Sequence, residues 1–323
     1  MALELSCAFA TSSESHEHAR IAEELGYARA WFYDSPALYP DVWVQLCRAA
    51  ERTSRIGLGP GVLVPSLRHP MVNAAAIATL VSIAGARRVA VAIGSGFTGR
   101  LTMGKRPMKW SDVREYVKVL RALLRGDDAQ WEGATIRMLH PRGYGASRPI
   151  EVPIVIGAAG PKGIAVAREL GDGVFGAPNP IPGFKWSIAL TFGTVLREGE
   201  DPGSARVLAA AGHAASVLFH FALENKMLQL VDRGQEWAAA YEDVPSHQRH
   251  LELHDQHLIA INQRDRPFIS GAMMVKQGIA LTRAGWRERA AALEGAGATE
   301  IAYQPAGPDI ASELEAFASA IRG

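Results

Sequence analysis

Gly59-Pro-Gly-Val-Leu-Val-Pro-Ser-Leu-Arg-His-Pro70, an Ala-rich stretch, and then Val89-Ala-Val-Ala-Ile-Gly-Ser-Gly96 read as strand, turn, helix, strand and second turn. Glycines fall where each apolar strand ends. Pro70 suits the first turn of a helix, where a missing N–H costs nothing. If the two strands are parallel, both turns open onto one face and build a ligand pocket.

The same alternation extends in both directions. Leu3 to Phe9 reads as a strand, and Thr11-Ser-Ser-Glu14 has capping-box spacing for a helix running through Leu25 and stopping at Gly26. Tyr27 to Asp34 is an aromatic-rich strand, and Val42 to Arg52 keeps apolar residues on one helical face. Ser111 opens another helix, with Val113, Tyr116, Val117, Leu120 and Leu124 at the 3.6-residue period. Residues 130–150 read as an irregular excursion or short hairpin. Pro153 to Gly157 is a buried fifth strand, Pro161 to Leu170 a helix, and Gly173 to Gly176 a sixth strand. Lys185 to Arg197 has helical patterning, and Val207 to Phe219 is taken as the seventh strand, although a buried helix has similar periodicity. Residues 221–285 read as a polar, mostly helical insertion on the ligand face, followed by an eighth strand at Thr299 to Gln304 and a closing helix from Asp309. Eight strands separated by helices predict one α/β domain over 1–323, a (β/α)8 TIM barrel with an insertion after strand 7. A doubly wound open sheet is the alternative.

Composition narrows the function classes. Thirty-four Lys and Arg against 33 Asp and Glu give a net charge of +1, with no basic run to follow a phosphate backbone, so no nucleic acid is expected as partner. The N-terminus lacks a basic segment ahead of a long apolar run, and Met71 to Ala86 is too short to span a bilayer, so no membrane association is expected. Cys7 and Cys47 sit far apart in apolar patterns and read as core thiols, consistent with a cytoplasmic location.

The turns carry the chemistry. In Gly157-Ala-Ala-Gly-Pro-Lys162 small residues let the backbone approach a ligand, and the helix starting at Pro161 turns free N–H groups outward. Those donors and the helix dipole attract anions, so a phosphate site is one reading and a ligand-free βα turn the other. Gly94-Ser-Gly-Phe-Thr-Gly99 matches a dinucleotide-binding pattern, but no acidic strand end follows about 20 residues on, which argues against it.

Asp34 after its aromatic strand, Gly61-Val-Leu-Val-Pro-Ser-Leu-Arg-His-Pro70, Ala92-Ile-Gly-Ser-Gly96 and Val155-Ile-Gly-Ala-Ala-Gly-Pro-Lys162 with Gly171-Asp-Gly173 together resemble the bacterial luciferase-like family. More narrowly they resemble its deazaflavin (coenzyme F-420)-dependent branch, which includes methylenetetrahydromethanopterin reductase and sugar-phosphate dehydrogenase. The likeness covers most of residues 1–180 and the final strand and helix. It implies a non-proline cis peptide at Gly61-Val62 supporting a flavin-like ring. It also implies a cofactor-tail turn at Gly94, Ser95 and Gly96, and a phosphate-meeting segment at Gly157, Ala158, Ala159, Gly160, Pro161 and Lys162. The family commonly pairs through barrel helices, so a homodimer is the expectation.

The departures are equally specific. Many members place His directly after the acid ending the second strand, whereas Asp34 here is followed by Ser35; the sugar-phosphate branch puts Glu where this chain has Phe97. That argues against glucose-6-phosphate oxidation and leaves the proton donor unassigned. Asp34 reads as a proton relay or cofactor contact, or as a loop or cap residue. Ser35 reads as a hydrogen-bonding partner of ring or substrate, or as a turn former. The expected activity is hydride transfer between F-420 and a small-molecule substrate. A reduced-FMN monooxygenase and a non-catalytic flavin-binding homologue are the alternatives. In Ser246-His-Gln-Arg-His-Leu-Glu-Leu-His-Asp-Gln-His257, residues 250, 254 and 257 would share one helical face, where paired histidines can ligate zinc. Pocket polarity or a satisfied helix are the other readings, and no metal is assigned. His69 reads as a cap or packing residue.

Overall fold

A computed structural model describes residues 3–323. Eight strands, β1 (Glu4–Phe9), β2 (Arg29–Phe32), β3 (Gly57–Pro60), β4 (Val91–Gly94), β5 (Ile154–Gly157), β6 (Gly173–Gly176), β7 (Ser187–Phe192) and β8 (Glu300–Gln304), form the main sheet. Their order is β3-β2-β1-β8-β7-β6-β5-β4, and every pairing is parallel. Parallel bridges Leu58↔Val89 and Leu63↔Ile93 join the two ends. The result is the expected barrel, with all strands pointing their carboxyl ends to one face.

Helices α1 (Ser15–Glu24), α2 (Val42–Arg52), α3 (Pro70–Ala84), α4 (Trp110–Arg125), α5 (Pro161–Leu170), α6 (Ala205–Glu224), α7 (Arg283–Gly295) and α8 (Ile310–Arg322) include the outer ring and the long helix of the insertion. Local chemistry sets many of their starts. Asp41 caps α2 through the amides of Trp43 and Val44, and His69 Nδ1 accepts from Met71 N at 3.1 Å ahead of Pro70. The first helix begins at Ser15; Thr11 instead donates to Tyr33 O at 2.9 Å, tying the ends of β1 and β2. The excursion before β5 is a hairpin, Ala129–Trp131 against Ala134–Ile136.

Two elements differ from the sequence reading. Ser187–Phe192 is the seventh strand, not a helix, because Ile188, Leu190 and Phe192 alternate into the barrel interior. Val207 to Phe219 lies within α6, whose buried positions 207, 210, 211, 215, 219 and 222 follow the helical period. By length and composition α6 could cross a membrane, yet 61% of its most apolar window is buried inside the protein.

The barrel interior is filled rather than hollow. Ala90, just before β4, and Ala92 on it leave room for Trp31, which is fully buried and packs in one cluster with Ala8, Val155, Phe175, Ile188 and Ala302. A Cβ at Gly59 would stand 1.9 Å from Ala90 O, so only glycine allows β3 and β4 to approach there. Near the start of β8, Glu300 is buried and accepts from Trp31 Nε1 at 3.0 Å and Trp186 Nε1 at 2.8 Å. Arg29 lies 5.3 and 5.2 Å from the same two indole rings. A separate core, built around Phe219, Trp237, Tyr241 and Met274, belongs to the insertion.

Candidate active site

Three strand-end loops meet at the carboxyl face. After Pro60 the chain turns through a cis Gly61-Val62 peptide, at the position the sequence resemblance implied. It rejoins β4 at Leu63, whose N–H donates to Ala92 O at 2.7 Å. This turn delivers Val62 between β4 and β5. Cβ atoms at Gly94 and Gly157 would each lie 2.8 Å from a Val62 methyl, so both positions are glycine because Val62 occupies their side-chain space.

The next turn locks onto the same loop. Gly96 is left-handed at φ +81°, and a Cβ there would come within 2.4 Å of Val64. Met108 N donates to Ser95 O at 2.8 Å, holding the turn from its far side. A Cβ at Gly99 would lie 3.1 Å from Asp34 O and 3.4 Å from Ser35 Oγ. Residues 34–35, 61–64 and 94–99 therefore form one packed surface.

Asp34 is already engaged. Both carboxylate oxygens accept from Arg68 Nη1, at 2.7 and 2.8 Å, while Arg68 Nη2 reaches Asp41 at 2.8 Å. Burial pushes the Asp34 carboxyl up and Arg68 pulls it back, whereas the same contacts hold the guanidinium more firmly charged. Tyr116 OH donates to Arg68 O at 3.0 Å and accepts from Asn73, which in turn accepts from Trp43. The Asp34 carboxylate thus fixes the 65–69 loop, and Ser35 is buried beside it at Gly99. Arg68 was visible within the opening motif, but its partner lies a strand away, beyond any local pattern.

At the end of β5, Ala158 is buried while Ala159, Gly160, Pro161 and Lys162 are exposed. Gly160 precedes α5 without a side-chain cap, and a Cβ placed on it meets nothing within 4 Å. Space is therefore open beside Gly160 at the N-terminus of α5, the end of a helix that attracts an anion.

The insertion roofs this face. Tyr39 OH donates to His257 O at 2.9 Å, Gln304 Nε2 donates to Leu258 O at 2.7 Å, and Tyr33 OH donates to Gln304 Oε1 at 2.9 Å. Leu258 joins the apolar cluster of the barrel interior. The histidine run does not form one helical face: Arg249–Leu253 is a short helix, and His254 and His257 lie beyond it in turns. His254 and His257 instead meet His220 from α6, a partner hidden by the strand reading of that segment. Burial, then the neighbouring histidines, hold His254 down to about 3 and His257 well below its ordinary value, so both rings are neutral at pH 7. Two cavities are lined by other residues: about 320 Å³ at Glu115 and Gln130 to Gly133, and about 700 Å³ between Arg197, Arg206, Arg283 and Glu313.

A model of the luciferase-like monooxygenase family matches residues 9–300. The chain is 32% identical over 166 residues to the 5,10-methylenetetrahydromethanopterin reductase of Archaeoglobus fulgidus, covering 50% of this chain and 48% of the relative. It is 30% identical over 174 residues to the F420-dependent glucose-6-phosphate dehydrogenase of Amycolatopsis mediterranei, covering 49% and 51%. The chain thus spans about half the length of the curated relatives it matches. The solved coenzyme F420-dependent tetrahydromethanopterin reductase from Methanopyrus kandleri shares the fold with a TM-score of 0.68, at 18% identity over 99% of both chains.

Proposed function

Because the chain belongs to the luciferase-like monooxygenase family, we propose that it is an oxidoreductase that holds the deazaflavin coenzyme F420 at the barrel mouth and exchanges hydride with a small organic substrate. The carrying observation is the Val62 wedge between Gly94 and Gly157. It makes a flat seat of one valine face flanked by side-chain-free backbone, suited to a planar ring. The open space beside Gly160 and the N-terminus of α5, with Lys162 in its first turn, fit an anionic tail. A curated relative named as an F420-dependent dehydrogenase and a solved structure named as a coenzyme F420-dependent reductase support the choice of a deazaflavin.

When bound, the deazaflavin supplies the hydride donor or acceptor. The chain's own residues orient and enclose. Val62 backs the seat, Gly94, Ser95 and Gly96 line the tail, and residues 157–162 meet the phosphate. Asp34 acts through Arg68 as a positioning residue, while Ser35 offers a hydroxyl toward the ring or substrate. Tyr39 and Leu258 exclude water from above. The same reading includes a homodimer paired through barrel helices, supported by Val44 and Val72, which are 56% and 52% exposed on α2 and α3. Light scattering should give twice the chain mass, falling to one chain in Val44→Asp/Val72→Asp; a wild-type monomer removes the dimer from the reading. A cytoplasmic location fits the two unpaired cysteines.

Anaerobic titration with F420 and with FMN, followed by fluorescence quenching, tests the cofactor. F420 should bind in the micromolar range and FMN more weakly. Tight binding of FMN alone replaces the deazaflavin with a flavin monooxygenase reading. Binding of neither makes the chain a non-redox member of the fold.

A further inference from the structure

His220, His254 and His257 play no part in the cofactor seat, yet they converge. All three are buried, and one ring nitrogen of each lies within 4.8 Å of those of the other two. The Nδ1 atoms of His220 and His257 are 3.0 Å apart, and those of His254 and His257 are 3.5 Å apart. Two imidazole nitrogens bound to one zinc at about 2.0–2.1 Å and a tetrahedral angle stand about 3.3–3.4 Å from each other. The observed spacings straddle that value.

Hydrogen bonding alone serves this arrangement poorly. The His257 Nδ1 faces two other Nδ1 atoms, and a neutral ring nitrogen offers either one proton or one lone pair. It can satisfy one neighbour and leaves the second without a complementary partner. A cation at the point of convergence satisfies all three lone pairs together.

The surroundings are compatible with the required tautomers of two of the three rings. With the Nδ1 atoms as ligands, each Nε2 carries the proton and needs an acceptor. His220 Nε2 lies 3.4 Å from Asp265 Oδ2, and His257 Nε2 lies 3.2 Å from Thr98 Oγ1. Asp265 is itself fixed, since its Oδ1 accepts from Trp237 Nε1 at 2.6 Å and Tyr241 OH at 2.7 Å. A buried carboxylate behind a ligating histidine is the usual means of orienting the ring and raising its basicity, and here it also balances part of the ion's charge.

We propose that His220, His254 and His257 form a divalent transition-metal site of the zinc class, with Asp265 and Thr98 orienting the ligand rings. Three nitrogens leave one tetrahedral position for water or another oxygen ligand. Thr98 belongs to the short helix Phe97–Leu101 that follows the Gly96 turn, so the ion ties the insertion to the barrel mouth. The site stands independently of the cofactor reading, and its test uses no cofactor.

Chelator-treated full-length protein is titrated with Zn²⁺ and, separately, with Co²⁺. Expected are one ion per chain after desalting, a rise in Tm with Zn²⁺, and the intense visible absorption of four-coordinate cobalt. His254→Ala and His257→Gln should weaken binding by on the order of a hundredfold, and Thr98→Ala by about 10-fold, as expected for loss of an orienting group. His247→Ala, an exposed histidine of the same run, should bind as wild type. Substoichiometric metal in the wild-type protein with an unmoved Tm overturns the site. So does stoichiometric metal retained by a His254→Ala/His257→Gln variant that stays folded by circular dichroism. If those variants fail to fold, the wild-type titration alone decides.

Discussion

Asp34 shows how a strand-end acid can be engaged by a neighbouring loop, both of its carboxylate oxygens accepting from Arg68. Its side chain is 2% exposed and paired with Arg68, which is 14% exposed and continues to Asp41. Removing Asp34 leaves the part-buried Arg68 with the half-exposed Asp41 as its remaining carboxylate, at a cost of up to about 3–5 kcal/mol, the range for breaking a buried pair. Asp34→Ala should therefore lower stability by that order in urea denaturation, and Asp34→Ala/Arg68→Met should recover part of the loss. Additive losses in that double-mutant cycle would remove the coupling. Ser35→Ala should leave stability near wild type and change F420 affinity instead. Gly157 makes a second test at this scale. A methyl there meets Val62 at 2.8 Å, and valine has few rotamers to retreat into. Gly157→Ala should cost about 1–3 kcal/mol as overpacking and weaken F420 binding, and Val62→Ala in the same chain should restore stability but not affinity. Thermal melts and fluorescence titration separate the two effects. The glycines of these motifs were legible in the sequence as close-approach positions. What approaches Gly94 and Gly157 was not, because Val62 belongs to another loop.

At the scale of elements, sequence periodicity succeeded where one face of a segment is buried and failed where nearly all of it is. Pro70 marked the start of α3, and the apolar faces of α2 and α4 were legible because polar residues punctuate them. Ala205–Glu224 is Ala-rich and apolar around much of its circumference, so the contrast that reveals a period is weak; its 20-residue length was the better signal against a strand. Misreading α6 also hid His220, and with it the convergence of the histidines. The base of α6 carries its own pH dependence. Arg206 hydrogen-bonds Glu200 at 2.5 Å and Glu313 at 2.7 Å, and Glu313 also accepts from Thr194 at 2.7 Å. The Arg206 contact holds the Glu200 carboxyl down to about 2. A depressed carboxyl stabilises the folded chain above its unfolded value of about 4.5, and that contribution is lost as pH falls from there toward about 2. Glu200→Gln should be less stable by about 1.5–3 kcal/mol at pH 7, the range for hydrogen bonds to charged groups. Urea unfolding at pH 7, 5 and 3 should show the gap to wild type narrowing at the acid end; a gap independent of pH would place the effect elsewhere.

The barrel, with its interior and the apolar layer between strands and outer helices, is covered at its mouth by an insertion that has a core of its own. The barrel is held by parallel pairing and an interior centred on Trp31, whereas the insertion is organised by Phe219 stacked on the fully buried Trp237 at 5.2 Å. Hydrogen bonds from Tyr39 to His257, Gln304 to Leu258 and Thr98 to His257 join the roof to the strand ends, with Leu258 packed into the barrel interior. Local opening follows contact density, so the insertion should open at lower free energy than the barrel strands. Trp237→Ala removes a large buried ring and one of the two side-chain donors to Asp265 Oδ1, at a cost of about 3–5 kcal/mol. Hydrogen-exchange mass spectrometry should then show accelerated exchange across residues 205–276 while the peptides of β1, β2 and β8 keep their protection. Uniform acceleration over the whole chain would mean that barrel and insertion unfold as one. Because the roof supplies Leu258 and the backbone carbonyls that Tyr39 and Gln304 grip, the same variant should bind F420 more weakly although no seat residue has changed.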